Sequence, residues 1–150
     1  MQTRRDTLKH GAMVLGLLAG SGLFPLYAQA MNKAAFDAKS INDALKALGT
    51  AAPVESKDVS ITAPDVAENG ASVQVTTATA LSGVKQLLIL AEKNPTALVA
   101  VFNMTDSIEP SITTRIKMAQ TSNVFAVAVL NNGRTLFAKK EVIVTLGGCG

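Results

Sequence analysis

Between Ala34 and Leu48, apolar residues recur every three or four positions, which is typical of one face of a helix. Ser40-Ile41-Asn42-Asp43 has the form of a helix-capping sequence, and Gly49 follows the stripe as a good helix terminator. Phe36 lies off the stripe, which favours a helix that begins after Ser40. The pattern predicts one short helix that must pack on something larger.

From residue 57 onward the spacing of apolar residues changes to two, which is typical of strands with one buried face. Three other runs are almost entirely apolar, as expected for strands covered on both faces. Of these three, 124–130 is interpreted as a central core strand rather than as an interface strand. The alternating segments are 59–63, 73–76, 112–118 and 136–146, and the apolar runs are 87–91, 98–102 and 124–130.

Turn-forming pairs separate these segments at short intervals, among them Asn69-Gly70, Ser82-Gly83 and Asn94-Pro95. About seven short strands with this spacing predict an all-β fold, specifically an immunoglobulin-like antiparallel β-sandwich with a short N-terminal helix. No helical segments separate the strands, which disfavours a parallel α/β fold. We expect an N-terminal helical segment at 31–56, the sandwich at 57–146, and a flexible arm at 147–150.

The first 30 residues resemble an export signal: a charged start, an apolar stretch broken by glycines, and the small-x-small sequence Ala28-Gln29-Ala30. Arg4 and Arg5, followed by Leu8 and Lys9, indicate a twin-arginine signal, with an ordinary Sec signal as the alternative. The apolar stretch is short for a membrane span, so no stable membrane anchor is expected. The predicted location is the periplasm, with 1–30 removed.

Removal of this segment leaves 11 basic and 10 acidic residues, a net charge of +1 instead of the +3 of the whole chain. Nucleic acid is therefore not an expected partner, because no basic excess remains to neutralise phosphates. The only histidine, His10, is also lost, and with it the usual general base near neutral pH. We expect neither a metal site nor a cofactor, and no autonomous enzyme activity.

The chain has a single cysteine, Cys149, within Gly147-Gly148-Cys149-Gly150. Apolar alternation stops at Leu146, so these residues are expected to project beyond the last strand, with Gly147, Gly148 and Gly150 giving the backbone freedom. The three residues from Leu146 to Cys149 span at most about 10 Å. The arrangement predicts a thiol on a swinging arm that can enter a narrow active site.

Several other interpretations of Cys149 remain open. The cysteine is an unpaired thiol in an exported protein, and it has no neighbouring histidine to activate it. It could form an intermolecular disulfide within an immunoglobulin-like binding or assembly subunit, or lie in a merely disordered terminus. A thiol–disulfide redox protein is disfavoured, because no second cysteine exists to resolve a disulfide.

Four features together resemble the SoxY family of bacterial thiosulfate oxidation. These are the terminal Gly-Gly-Cys-Gly, the twin-arginine start, the segment Pro64-Asp65-Val66-Ala67-Glu68-Asn69-Gly70, and the segment Asn123-Val124-Phe125-Ala126-Val127. The resemblance implies an immunoglobulin-like fold and a protein that carries sulfur intermediates covalently on Cys149.

The same resemblance implies a set of partners. The first is a SoxZ-like subunit, with which the chain would form a heterodimer. The others are a haem enzyme that couples thiosulfate to the cysteine, a hydrolase that releases sulfate, and a molybdenum–haem dehydrogenase that oxidises the remaining sulfane sulfur. In this interpretation the chain offers a thiol, and other proteins supply the catalysis.

Overall fold

In the computed structural model, residues 32–148 are described. They form two short helices and nine strands. The helices are α1 (Lys33–Asp37) and α2 (Ile41–Ala47). The strands are β1 (Val54–Glu55), β2 (Val59–Thr62), β3 (Val66–Ala67), β4 (Val73–Thr79), β5 (Val84–Ala91), β6 (Leu98–Asn103), β7 (Ser111–Ile116), β8 (Ser122–Leu130) and β9 (Thr135–Val144).

The strands form two sheets. The larger has the order β1-β9-β8-β5-β6, with β3 also pairing with β9, and the smaller has the order β2-β4-β7. The long strands pair antiparallel, so the predicted sandwich is confirmed. Two short pairings differ from the expectation, because β1 and β3 run parallel to β9. Both are two-residue strands, too short to give a visible alternation in the sequence.

The apolar runs of β5 and β8 are explained by burial on both faces. Leu87 and Ile89 pack with residues of the smaller sheet, whereas Leu88 and Leu90 pack with the helices. Strand β8 lies between β5 and β9, which confirms that 124–130 is a central strand. A strand covered on both sides has no solvent-facing position for a polar residue to occupy.

The predicted helix is α2. The Ser40 hydroxyl accepts from the N–H of Asp43 at 3.1 Å, and Gly49 ends the helix with a φ of 69°. The preceding segment forms a separate helix, α1, which is capped by Asn32. Phe36, which lies off the apolar stripe of α2, belongs to α1. Both helices pack on the larger sheet through Ala35, Ala44 and Leu45.

The segment predicted as helical, 31–56, also contributes β1, whose Val54 pairs with Leu136. The larger sheet therefore begins before residue 57. The sequence did not predict β1, because a strand of two residues is too short to show alternation. Its partner lies about eighty residues later in the chain.

The strand register defines the two ends of the sandwich. One end, here called the C-terminal pole, contains residues 63–72, 92–97, 117–121 and 145–148, next to the Ser122–Val142 pair. The opposite pole contains β1 and residues 104–110, near the Val84–Leu130 pair. Within residues 32–148, no helix is long and apolar enough to cross a membrane.

Candidate functional site

Beyond the last strand, residues 145–148, here called the tail root, still hydrogen-bond to the body of the protein. The N–H of Thr145 donates to the carbonyl oxygen of Ala67 at 3.1 Å, which continues the pairing between β3 and β9. One residue later, the carbonyl oxygen of Leu146 accepts from the N–H of Gly70 at 2.7 Å. Backbone hydrogen bonds therefore hold the start of the tail root against the segment 67–70.

The backbone of Met118 forms hydrogen bonds both with Gly70 and with the tail root. Its N–H donates to the carbonyl oxygen of Gly70 at 2.7 Å, and its carbonyl oxygen accepts from the N–H of Gly148 at 3.0 Å. The Met118 side chain is fully buried in the core between the sheets. The hydrogen bond to Gly148 therefore starts from a backbone that the core holds in place.

The glycines of this site are needed for close approach of the backbone. A Cβ on Gly70 would lie 2.2 Å from the carbonyl oxygen of Met118, and one on Gly147 would lie 2.3 Å from that of Ala119. A Cβ on Gly148 would meet the backbone of Gly70 and Ala71 at 2.8 Å. Real side chains do not approach backbone atoms this closely, so all three positions exclude any larger residue.

Close packing is a second reason for glycine at positions 147 and 148, in addition to the hinge role predicted from the sequence. Conformational freedom as a hinge stays a prediction for them. The structure shows that both glycines are in contact with the protein, and Gly148 is buried. The predicted arm at 147–150 therefore begins with two residues that pack against the sandwich.

The loop that carries Met118 is fixed by side chains from neighbouring elements. The Asn94 amide donates to the carbonyl oxygen of Lys117 at 2.8 Å, and its oxygen accepts from the N–H of Ala119 at 2.9 Å. The hydroxyl of Thr121 accepts from the N–H of Val144 at 2.9 Å. These contacts join the loop to the β5–β6 connection on one side and to β9 on the other.

The segment before β3 is held by an ion pair. The Lys140 ammonium lies 2.8 Å from the Asp65 carboxylate and also donates to the carbonyl oxygen of Ala63. The hydrogen bond from Lys140, and then the attraction of its charge, lower the pKa of Asp65 below its ordinary value of 3.8. The backbone adds a further contact, since the N–H of Ile143 donates to the carbonyl oxygen of Asp65 at 2.9 Å.

Of the predicted site residues, Gly147 and Gly148 fall in the described part of the chain. Cys149 and Gly150 lie outside the described residues, as do the predicted export signal at 1–30 and its Arg4 and Arg5. Cys149 is joined to Gly148 by one peptide bond. The anchored Gly148 therefore fixes the position from which the cysteine continues.

Sequence reasoning missed three residues of the site: Asn94, Met118 and the backbone role of Gly70. Asn69-Gly70 and Asn94-Pro95 were predicted only as turns, and Met118 only as the end of an alternating strand. The available signal was the segment Pro64–Gly70, which contributed to the family resemblance. Among residues 32–148, no group of three side chains that commonly bind metals comes together.

The fold and the site define a class of protein: an immunoglobulin-like β-sandwich whose glycine-packed C-terminal segment leads into a solitary cysteine. The sequence model of the family described as sulfur oxidation protein SoxY matches residues 44–149. The chain belongs to the SoxY family. The matched region contains the end of α2 from Ala44 onward, all nine strands, the tail root and Cys149.

Comparison with solved structures agrees with this assignment. The sulfur carrier protein SoxY from Chlorobium limicola f thiosulfatophilum is 35% identical, with a TM-score of 0.64 over 71% of this chain and 97% of that one. A superoxide reductase (neelaredoxin) from Ignicoccus hospitalis shares the fold, with 18% identity and a TM-score of 0.52 over 66% of this chain and 86% of that one. Comparison with curated protein sequences gave no significant match.

Proposed function

We propose that this protein is a periplasmic carrier that holds sulfur intermediates covalently on Cys149 during thiosulfate oxidation and presents them to partner enzymes. The observation that carries the proposal is the position of the only cysteine, directly after a tail root whose glycines pack against Gly70, Ala71 and Ala119. Membership of the SoxY family supports the sulfur chemistry.

The proposed cycle begins with an oxidation. The Cys149 thiol and thiosulfate form a new sulfur–sulfur bond, which gives a cysteine S-thiosulfonate and releases one proton and two electrons. The electrons pass to the haem of a coupling enzyme. Water then cleaves the bond between the sulfane sulfur and the sulfone group, so that sulfate leaves and a cysteine persulfide remains.

The chain's own contribution to these steps is to hold and position the sulfur. Residues 31–150 contain no histidine, and no second cysteine exists to resolve a disulfide. The proton transfers, the electron transfer and the activation of water are therefore assigned to partner proteins, and the chain is not an enzyme in this proposal. Oxidation of the remaining persulfide sulfur would likewise be the work of a partner protein, the sulfane dehydrogenase.

The protein is proposed to work as a heterodimer with a SoxZ-like subunit, and to reach the periplasm through a twin-arginine signal that includes Arg4 and Arg5. The twin-arginine route moves folded cargo, which would allow the two subunits to assemble before export. The near-neutral charge of residues 31–150 supports contact with proteins rather than with nucleic acid.

The proposal is tested with the Cys149→Ser variant, in a reaction reconstituted from the complete set of partner proteins and thiosulfate. We expect the variant to keep its thermal unfolding midpoint and its binding to the SoxZ-like subunit, and to lose sulfate release and electron transfer. Thiosulfate turnover at the normal rate by the variant would refute the carrier role. If Cys149 only linked two subunits, the Cys149→Ser variant would instead lose the assembly.

A further inference from the structure

Two asparagines of the chain are followed directly by glycine, Asn69 and Asn132. In an Asn-Gly pair no side chain shields the backbone nitrogen of the glycine, so that nitrogen can attack the side-chain carbonyl carbon of the asparagine. Both asparagines are exposed to solvent. The two pairs differ in what holds the glycine, and this difference bears on which asparagine reacts.

The pair Asn132-Gly133 lies at the tip of the hairpin that joins β8 to β9, at the pole opposite the tail root. The N–H of Gly133 donates to the carbonyl oxygen of Leu130 at 3.0 Å, and the N–H of Arg134 donates to the side-chain oxygen of Asn132 at 3.0 Å. Both bonds lie within residues 130–134, so they open without the movement of a distant segment. A Cβ on Gly133 would meet nothing within 4 Å, which leaves space around this backbone for a ring to form.

The pair Asn69-Gly70 is held by distant segments instead. The side-chain oxygen of Asn69 accepts from the N–H of Ala71 at 2.8 Å, as in the hairpin turn. The N–H of Gly70, however, donates to the carbonyl oxygen of Leu146 at 2.7 Å, and Gly70 itself is buried. The nitrogen that would attack Asn69 is therefore engaged with the tail root, and it becomes free only when that contact opens.

We propose that Asn132 is a site of spontaneous deamidation in the folded protein, and that the tail root protects Asn69 from the same reaction. The Gly133 nitrogen forms a bond to the side-chain carbonyl carbon of Asn132. The amide nitrogen of that side chain leaves as ammonia and takes up the proton of the Gly133 N–H. Water then opens the resulting succinimide ring at either of its two carbonyl carbons, which gives aspartate or isoaspartate. No oxidant, reductant or enzyme takes part.

The same reaction has different consequences at the two positions. Isoaspartate lengthens the backbone by one carbon, and either product adds a negative charge. At Asn132 this change lies at the hairpin tip, beside Arg134 and away from the tail root. At Asn69 it would displace the Gly70 N–H and so break its hydrogen bond to Leu146. Protection of Asn69 therefore preserves the contacts of the segment that leads to Cys149.

The test follows the purified full chain in mildly alkaline buffer below its unfolding midpoint, with synthetic peptides of residues 66–73 and 129–136 as references. Peptic digestion at acid pH and tandem mass spectrometry measure the conversion of each asparagine. Relative to its own peptide, we expect Asn132 to convert at least about tenfold faster than Asn69. In urea this difference should disappear. Equal or reversed relative rates in the folded chain would overturn the inference.

Three variants separate the two parts of the inference. Asn132→Gln should lose the conversion at position 132, because a glutamine side chain would have to close a larger ring. Asn131→Gln is the matched control at the neighbouring position and should keep it. Gly147→Ala places a Cβ 2.3 Å from the carbonyl oxygen of Ala119 and so displaces the tail root. It should speed conversion at Asn69 and leave that at Asn132 unchanged, and an unchanged rate at Asn69 would refute protection by the tail root.

Discussion

The N–H of Gly148 donates to the carbonyl oxygen of Met118 at 3.0 Å, one residue before the cysteine. Met118 is itself tied to Gly70 by a 2.7 Å hydrogen bond, and its side chain is buried in the core. In this structure the segment that leads to Cys149 is thus hydrogen-bonded to the backbone of a core residue as far as Gly148. A thiol that must enter several active sites benefits from a base whose position is fixed.

The contact of Gly70 with Met118 predicts that Gly70→Ala is destabilising. The added Cβ would lie 2.2 Å from a backbone oxygen that cannot move away cheaply. We expect a loss of about 2 to 3 kcal/mol in the free energy of unfolding, measured by urea denaturation. The variant should also lose protection of the Gly148 amide against hydrogen exchange.

Gly49→Ala serves as the control for that variant. Its Cβ would meet nothing within 4 Å, although Gly49 has a φ of 69°. A cost of about 1 kcal/mol is expected from this backbone conformation alone, with no change in exchange at Gly148. Equal losses in the two variants would contradict the close-packing role of Gly70.

Asn94 is predicted to stabilise the loop that carries Met118. Asn94→Ala removes two hydrogen bonds to the backbone of Lys117 and Ala119, which should lower the free energy of unfolding by about 1 kcal/mol. Hydrogen exchange should rise at Ala119 more than at strand positions far from the loop. Asn103→Ala, which removes only an exposed contact with Gln86, should change stability by less than about 0.5 kcal/mol.

The ion pair between Asp65 and Lys140 gives a pH prediction. Because the folded-state pKa of Asp65 is lowered, its stabilising contribution is present above its ordinary value of 3.8 and is lost as the pH falls through the lower folded-state pKa. In an NMR titration, Lys140→Met should raise the pKa of Asp65 toward 3.8. Lys139→Met, at the neighbouring position of β9, should leave it low, and the same rise in both variants would argue against a specific pair.

The predicted export signal gives a separate test. A chain with Arg4→Lys and Arg5→Lys should accumulate in the cytoplasm, because the twin-arginine pathway requires the arginine pair. The control is the chain with Lys9→Arg, which keeps both arginines and the charge. Normal appearance of the double variant in the periplasm would favour the Sec route.

Much of the fold could be predicted from the sequence, because burial leaves a regular pattern. The alternation of β4 and the apolar runs of β5 and β8 match strands buried on one face or on both. The capping sequence at Ser40 placed the start of α2. Strands β1 and β3 could not be predicted, since a two-residue strand is defined by its distant partner and not by its own pattern.

The candidate site was only partly predictable, for a related reason. The sequence identified Gly147 and Gly148 by composition and suggested conformational freedom as the reason for them. The close contacts with Ala119 and Ala71 depend on how three distant segments meet at the C-terminal pole. The two hydrogen bonds of the Asn94 side chain likewise join residues that are more than twenty positions apart.

The most direct test of the carrier function is a mass measurement on protein isolated from cells grown on thiosulfate. Intact mass, followed by tandem fragmentation of the C-terminal peptide, locates any added sulfur. The account predicts adducts on Cys149 with the masses of added thiosulfonate and sulfane sulfur, all removed by a thiol reductant. Protein that carries no such adduct during thiosulfate oxidation, or that is found only as a disulfide-linked dimer through Cys149, would contradict it.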